Sequence, residues 1–194
     1  MGRKIAILQG HPSQSGNHYC HALADTYAEA ARDAGHSIRR IEVTQLDFPV
    51  LREPDDFRNG VPPDDILKSQ ETISWADHLF VIYPLWHGTM PALLKAYVEQ
   101  VFRYGYAMDR RPNGLPVKLL KGRSARLVIT MGMPALIYRF YYGAHSLRSL
   151  ERNILGMSGI APIRSSLIGS VESHSNSHRR KWLARVADLG RRGV

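Results

Sequence analysis

Three short segments hold the side chains best suited to chemistry, and each follows a run of apolar residues. They are residues 10–17 (GHPSQSGN), residues 84–90 (PLWHGTM) and residues 130–134 (TMGMP). Serine hydroxyls and backbone N–H groups ahead of a helix suit an anion, because the helix dipole adds partial positive charge there. Two rings and a glycine after an apolar strand suit a ligand site at the strand's carboxyl end.

The first segment lies between a predicted strand at residues 3–9 and a predicted helix at residues 18–34. Its sequence matches neither G-x-G-x-x-G nor G-x-x-x-x-G-K-[ST], so neither a dinucleotide fingerprint nor a nucleotide-triphosphate loop is predicted. Two interpretations fit. Either the loop binds an anion, or it is an ordinary helix start with Ser15 or Asn17 as the cap.

The second segment lies where the hydrophobic period changes. Residues 79–83 are continuously apolar, which predicts a strand buried on both faces, and from Pro91 onward the period is helical. Trp86 and His87 are therefore candidate ligand contacts at a strand end. The alternative is that Trp86 covers the core and His87 is merely solvated.

The whole chain alternates strands with helices, which predicts an α/β fold with a doubly wound parallel sheet. We expect a flavodoxin-like, five-stranded sheet of order 2-1-3-4-5 with helices on both faces, in a single domain at residues 1–194. In that order the topological switch point lies between the first and third strands, so the first two segments face each other there. The predicted strands are residues 3–9, 37–43, 79–83, 124–131 and 161–168, and the predicted helices are residues 18–34, 65–75, 91–102, 145–155 and 177–190. Residues 44–63 and 105–121 are expected to be long loops.

Composition narrows the class of protein. Of the 194 residues, 44% are hydrophobic, one is cysteine, and the formal charge is +9. A lone cysteine excludes an internal disulfide, and no metal site is predicted. No apolar run approaches the ~20 residues of a membrane helix, so a cytoplasmic protein without membrane insertion is expected. The basic residues 178–181 lack interleaved aromatic rings, so a solvated face is expected rather than binding of nucleic acid.

These segments resemble those of the flavodoxin-like NAD(P)H:quinone oxidoreductases, a family that includes DT-diaphorase-type enzymes, modulators of drug activity and ancillary subunits of potassium efflux systems. The resemblance covers nearly the whole chain and is most specific at residues 83–102. The residues that carry it are His11, Pro12, Ser15, Asn17, Tyr83, Pro84, Leu85, Trp86, residues 91–95, Val101, Phe102, Ile129, Thr130 and Gly132. Family members often have Pro-Leu-Gln-Trp, so the indole lies one position earlier here.

The resemblance implies a flavin site built from all three segments. Phosphate would be held by His11, Ser15, Gly16 and Asn17. The isoalloxazine ring would be bordered by Pro84, Leu85, Trp86 and His87, and its pyrimidine side would be closed by Thr130, Met131, Gly132 and Met133. We expect Met131 to belong to the core and Met133 to the pocket.

The resemblance also implies catalytic and substrate-binding side chains. Tyr138 and His145 correspond to a tyrosine and a histidine that assist hydride transfer, at a spacing one residue longer than in the family; a helix-capping role is the alternative for His145. Tyr106 and Met108 of a second subunit would line the substrate slot. The apolar third helix and the long loop that begins at Gly105 make a homodimer the expectation.

The implied function is two-electron, ping-pong reduction of quinones or similar small acceptors, with NAD(P)H as co-substrate. FMN is the expected cofactor and FAD the alternative. The alternative function is a flavin-binding ancillary subunit of a potassium efflux transporter. A one-electron flavodoxin carrier ranks lower, because carriers are usually acidic and this chain is basic.

Overall fold

A parallel sheet forms the centre of the computed structural model, which describes residues 2–111, 115–173 and 175–194. Its five strands lie in the order β2-β1-β3-β6-β7, and all four pairings are parallel. They are β1 (Lys4–Gln9), β2 (Ser37–Glu42), β3 (His78–Pro84), β6 (Ser124–Thr130) and β7 (Ile163–Ile168). Counting these five alone, the order is 2-1-3-4-5, so the predicted topology is confirmed.

Burial explains why these segments became strands. Every residue of β3 is buried, as expected for the central strand of a sheet covered on both faces. The edge strand β2 alternates between exposed and partly buried positions over most of its length. The central strand is therefore apolar after its first residue, His78, whereas the edge strand β2 carries Arg39 and Arg40 at exposed and partly buried positions.

Helices cover the two faces with separate apolar cores. On one face α1 (Tyr19–Asp33) and α6 (Asn176–Arg192) pack over residues such as Ile7, Phe80 and Val128. On the other face α3 (Asp64–Trp75) and α4 (Ala92–Val101) pack over Leu8, Val81 and Leu127. The chain after β6 completes this second face through α5 (His145–Arg148) and a π-helical segment, Ser149–Gly156.

The structure differs from the sequence prediction in four places. Residues 44–63 contain a short helix, α2 (Pro54–Arg58), which follows a 3-10 turn at Val43–Gln45. Residues 105–121 were expected to be a loop but contain an antiparallel hairpin, β4 (Met108–Arg110) with β5 (Pro116–Lys118); residues 112–114 lie outside the described residues. The helix expected at residues 145–155 is α-helical only over its first four residues. A further π-helical turn, Ile137–Tyr141, precedes it.

Among the described residues, no helix has the length and apolar character needed to cross a bilayer.

Candidate active site

The loops that follow β1, β3 and β6 meet at one edge of the sheet, which we call the carboxyl rim (residues 10–18, 85–91 and 131–136). Gly10 N–H donates to the Ile82 carbonyl at 2.8 Å, and Leu85 N–H donates to the Thr130 carbonyl at 2.7 Å. The His11 and Trp86 rings lie edge to face, 6.4 Å apart. As the sequence predicted, the first two loops face each other; the third lies beside them.

Hydroxyl groups and one sharp turn shape the first loop. Ser13 Oγ lies 2.9 Å from Ser15 Oγ and accepts from Ser15 N–H, and Ser15 Oγ lies 3.4 Å from His18 Nε2. Gly16 has φ +72°, a left-handed conformation that glycine adopts without strain, and a Cβ there would meet nothing within 4 Å. Gly16 and Asn17 are exposed. The loop thus presents small polar groups to open space.

The amino end of α1 carries no side-chain cap. His18 is the N-cap residue, and its side chain accepts no hydrogen bond from the helix. The alternative in which Ser15 or Asn17 caps this helix is therefore wrong. First-turn N–H groups of a helix have no partner within the helix, and together with its dipole they favour an anion.

Three histidine rings lie together at this helix end. His18 stacks on His11 at 4.0 Å between ring centroids, and His21 lies 5.0 Å from His11. Burial, then the two neighbouring imidazoles, lower the pKa of His11 to about 4. At neutral pH His11 is therefore uncharged, and because its Nδ1 accepts from Ser13 N–H, its hydrogen is on Nε2. Nε2–H is a donor at the rim.

The second loop is a tight two-residue turn. Trp86 and Thr89 exchange both backbone hydrogen bonds at 2.9 Å, and His87 and Gly88 between them have φ of +47° and +78°. Positive φ at both central positions is the pattern of a type I′ turn, in which His87 is the strained residue. Trp86 is 50% exposed, so it does not cover the core as the alternative required. Pro84 is buried and Leu85 is half-buried.

The third loop leaves two backbone donors at the rim. Met131 N–H donates to Ile168, and Met131 itself is buried, as expected for a core residue. Gly132 is exposed and Met133 is half-buried. Within the described part of the chain, the N–H groups of Gly132 and Met133 form no hydrogen bond. Thr130 is buried, with its hydroxyl 3.1 Å from the Cys20 thiol, so it holds α1 against β6.

The two predicted catalytic side chains differ in exposure. Tyr138 is buried, and its hydroxyl accepts from Leu147 N–H at 3.2 Å. His145 is exposed at the first position of α5. Its ring lies over Gly143, where a Cβ would approach His145 Nε2 to 2.9 Å. The role of each in hydride transfer stays a prediction.

The two predicted substrate contacts lie away from the rim of their own chain. The Tyr106 hydroxyl donates to the Gln70 carbonyl at 2.7 Å and lies 3.1 Å from Ser74 Oγ, so it packs against α3. Met108 pairs with Lys118 in the hairpin. Their assignment was to a second subunit, and it stays a prediction.

Sequence reasoning missed several rim residues. His18 and His21 were assigned no role, although their spacing of three at a helix start places them on one face beside His11. Thr89 was also missed; its Oγ1 accepts from Ser146 Oγ at 3.2 Å and connects the second loop to α5. Such contacts across the fold have no signal in a single sequence.

A flavodoxin-like sheet with three polar loops at its carboxyl rim defines a class of flavin-binding folds. The chain belongs to the Flavodoxin_2 family, described as having a flavodoxin-like fold, which matches residues 3–189.

Named relatives agree with this family. An uncharacterized NAD(P)H oxidoreductase of Haemophilus influenzae is 27% identical over 185 residues, covering 93% of this chain and 91% of that protein. FMN-dependent NADH:quinone oxidoreductase 1 of Colwellia psychrerythraea is 29% identical over 111 residues, covering 57% of each chain. The solved NAD(P)H:quinone oxidoreductase of Methanothermobacter marburgensis is 25% identical, with a TM-score of 0.81 and full coverage of both chains. The predicted resemblance to oxidoreductases of this fold is confirmed.

Proposed function

We propose that this chain is an FMN-dependent NAD(P)H oxidoreductase that reduces quinones or similar planar acceptors. The observation that carries the proposal is the convergence of three donor-rich loops around the half-exposed Trp86 ring. The names of the relatives support the same class of reaction, since they include NAD(P)H and NADH:quinone oxidoreductases.

The first loop fits a phosphate group. The loop and the helix start that follows it offer several donors: the Ser13 and Ser15 hydroxyls, the Nε2–H of neutral His11 and the first N–H groups of α1. Phosphate would be held there by neutral donors and the helix dipole, with no cation needed. Gly16 allows the backbone to approach closely because it lacks a side chain.

The second and third loops fit a flat ring. Trp86 offers half of its surface to solvent and meets His11 at its edge, so an aromatic ligand has an apolar surface to pack on. The N–H groups of Gly132 and Met133 would donate to the polar edge of the ring and stabilise negative charge that develops there. These groups are fixed in position by the Met133 carbonyl, which accepts from Ser170 N–H at 3.0 Å.

When bound, FMN would accept a hydride equivalent from NAD(P)H and pass two electrons to the acceptor. The chain's own contribution is to position both planar substrates, in turn, against the same open face beside Trp86. We therefore propose ping-pong order. Tyr138 would act through Leu147, which it holds by a hydrogen bond, and exposed His145 is the candidate proton donor.

FMN is preferred to FAD in this proposal because the named relative is FMN-dependent. A homodimer that brings Tyr106 and Met108 of one subunit to the rim of the other is part of the proposal. No observation on the described residues favours the potassium-efflux alternative, and it is not proposed.

Titration of the purified chain with FMN, FAD and riboflavin, followed by quenching of flavin fluorescence, tests the phosphate loop. We expect FMN to bind more tightly than riboflavin, which lacks the phosphate. Anaerobic mixing with NADH or NADPH should then bleach the bound flavin, and initial rates at several quinone concentrations should give parallel double-reciprocal lines. Flavin that stays oxidised with both nucleotides would contradict the enzyme; intersecting lines would contradict only the order.

A further inference from the structure

The opposite edge of the sheet holds a cavity of about 330 Å³, which we call the amino-edge cavity. It lies at the amino ends of the strands, on the face that α1 and α6 cover, and it shares no residue with the carboxyl rim. Its polar and charged lining residues are Arg3, His78, Arg123, Ser124, Arg126 and Arg164. Four of these six carry a guanidinium group.

Strand register explains why the charges gather here. Arg126 on β6 pairs directly with Arg164 on β7, and Ser124 pairs with His78 on β3. Paired residues of parallel strands share a face, and residues two apart on one strand do so too. The four side chains therefore lie on the same face of the sheet as Phe80, at the end where α6 stops.

Among the described residues, no side chain supplies a carboxylate to this cluster. No aspartate or glutamate lines the cavity, and no ion pair reaches Arg3, Arg126 or Arg164. The adjacent Asp77 carboxylate accepts from Lys4 N–H, and Asp188 on α6 pairs with arginines of its own helix. Val194, the last residue in the structure, also lines the cavity, but its backbone carboxylate forms no ion pair with these cations.

The four guanidinium groups differ in how many hydrogen bonds they donate. Arg3 donates to the Gly193 carbonyl at 2.8 Å, and Arg123 donates to carbonyls at the end of α3, including that of Ile73 at 3.0 Å. Arg126 makes one side-chain contact, to Ser166 Oγ at 3.5 Å, and Arg164 makes none among the described residues. Buried Arg126 thus faces exposed Arg164 across adjacent strands, and neither forms an ion pair among the described residues.

Burial makes this arrangement unfavourable for the protein alone. Arg126 is 9% exposed and its buried Nε has no hydrogen-bond partner; His78 is 2% exposed and its Nε2 has none either. A buried charge without a partner is strongly destabilising, and like charges directly opposite on neighbouring strands repel. Burial, and repulsion by Arg164 and Arg192, lower the pKa of Arg126. An anion in the cavity would offset both costs.

We propose that the amino-edge cavity binds a small phosphorylated metabolite through Arg126 and Arg164. The planar guanidinium matches phosphate oxygens two at a time, which favours a phosphate group over a single carboxylate. A cavity of about 330 Å³ has room for a small phosphomonoester or a diphosphate group with little attached to it. This site does not depend on the function proposed for the carboxyl rim.

Calorimetric titration with pyrophosphate at constant ionic strength tests the proposal. Excess FMN fills the loop at the rim, so that one saturable site is expected to remain. Arg164→Gln and Arg126→Met should each weaken pyrophosphate binding by at least about tenfold, the loss expected for one charged hydrogen bond. Arg52→Gln, a change at an exposed arginine of another surface, is the control and should leave the affinity unchanged.

NMR of the His78 ring and thermal melting of Arg126→Met test the site independently of flavin binding. The NMR signals of the His78 ring report on this cavity without FMN, so failure of flavin binding does not affect them. In anion-free buffer Arg126→Met should melt at a higher temperature than the wild type, because an unpaired buried charge is removed. Absence of saturation, or equal affinity in all four proteins, would overturn the proposal. So would a lower melting temperature in Arg126→Met together with unchanged binding in Arg164→Gln.

Discussion

The two edges of the sheet gather donors in opposite ways. At the carboxyl rim the donors are hydroxyls, backbone N–H groups and the neutral imidazole of His11, all on loops or at the start of α1. At the amino-edge cavity they are formal charges on the strands themselves, Arg126 and Arg164. The rim can be empty at little cost because its donors reach water, whereas the cavity buries a cation.

The carboxyl rim and the amino-edge cavity can also be compared through one histidine in each, His11 and His78. Burial is the main cause that lowers the pKa of each, to about 4 for His11 and about 3 for His78. The second cause differs: neighbouring imidazoles act on His11, and Arg3, Arg126 and Arg164 act on His78. An anion at the amino edge should therefore change one histidine and leave the other.

The largest expected effect is loss of stability in acid. Because both folded-state pKa values lie below the usual 6.5, the unfolded chain takes up protons that the folded chain does not as pH falls from about 6.5 towards 3. Stability is full above that window and declines through it, and His78 alone should account for about 3 kcal/mol of the decline between pH 6.5 and pH 4. Urea unfolding between pH 7 and pH 4 measures the decline.

His78→Gln should flatten this profile, since the amide does not titrate. The matched control is His87→Asn at an exposed turn position where asparagine tolerates positive φ. A profile as steep in His78→Gln as in the wild type would show that the buried imidazole does not drive acid unfolding.

The next largest effect is expected at the phosphate loop. Ser15→Asp removes a donor hydroxyl and places a carboxylate beside the phosphate, so FMN affinity should fall by about 100-fold. Riboflavin, which has no phosphate, should be affected much less. Flavin fluorescence measures both.

Ser177→Asp is the control for that change, because Ser177 is also an exposed serine at the start of a helix, α6. FMN affinity should be unchanged in it, and pyrophosphate affinity at the amino edge should be unchanged in both variants. Equal loss of FMN in the two serine variants would refute the assignment of phosphate to the first loop.

A smaller effect is expected from Trp86→Ala. The substitution removes the apolar surface against which planar substrates pack, so KM for a quinone should rise about tenfold with a smaller change in kcat. Trp182→Ala, at a partly exposed indole on α6, is the control. Steady-state kinetics separate the two constants, and an unchanged KM in Trp86→Ala would remove the indole from the substrate slot.

Most of the fold could be predicted from the sequence because buried positions in strands and helices recur at a regular spacing of apolar residues. The runs around Ile7, Val81 and Leu127 are largely apolar, and three of the five sheet strands, β1, β3 and β6, follow from them within a few residues. The hairpin β4–β5 was missed because Asp109, Arg110 and Lys118 give it no apolar face. The π-helical turns were missed because their apolar spacing is that of an α-helix.

The site was predictable at the level of loops but not of contacts. The three segments were found because each follows a buried strand, and the topology then brings them to one rim. The stacking of His18 on His11 and the burial of the Tyr138 hydroxyl depend on how helices settle against the sheet. The amino-edge cavity was missed because its arginines come from separate strands, and only the register places Arg126 beside Arg164.

The smallest expected effect is a change in the pKa of His78 that His11 does not share. Pyrophosphate bound between Arg126 and Arg164 would reduce their repulsion of a His78 proton, so the pKa of His78 should rise while that of His11 stays the same when FMN occupies the rim. NMR titration of the ring signals in FMN-saturated protein, with and without pyrophosphate, measures both pKa values.

The direction of the change in the pKa of His78 is the informative part, because burial alone would lower that pKa further when a ligand excludes water. A rise therefore shows that the charge of the bound anion outweighs desolvation, and Arg164→Gln should raise the pKa of His78 without any ligand because it removes a repelling cation. If the pKa of His78 falls in both cases, desolvation dominates that pKa. The charges of the amino-edge cavity would then not favour an anion there.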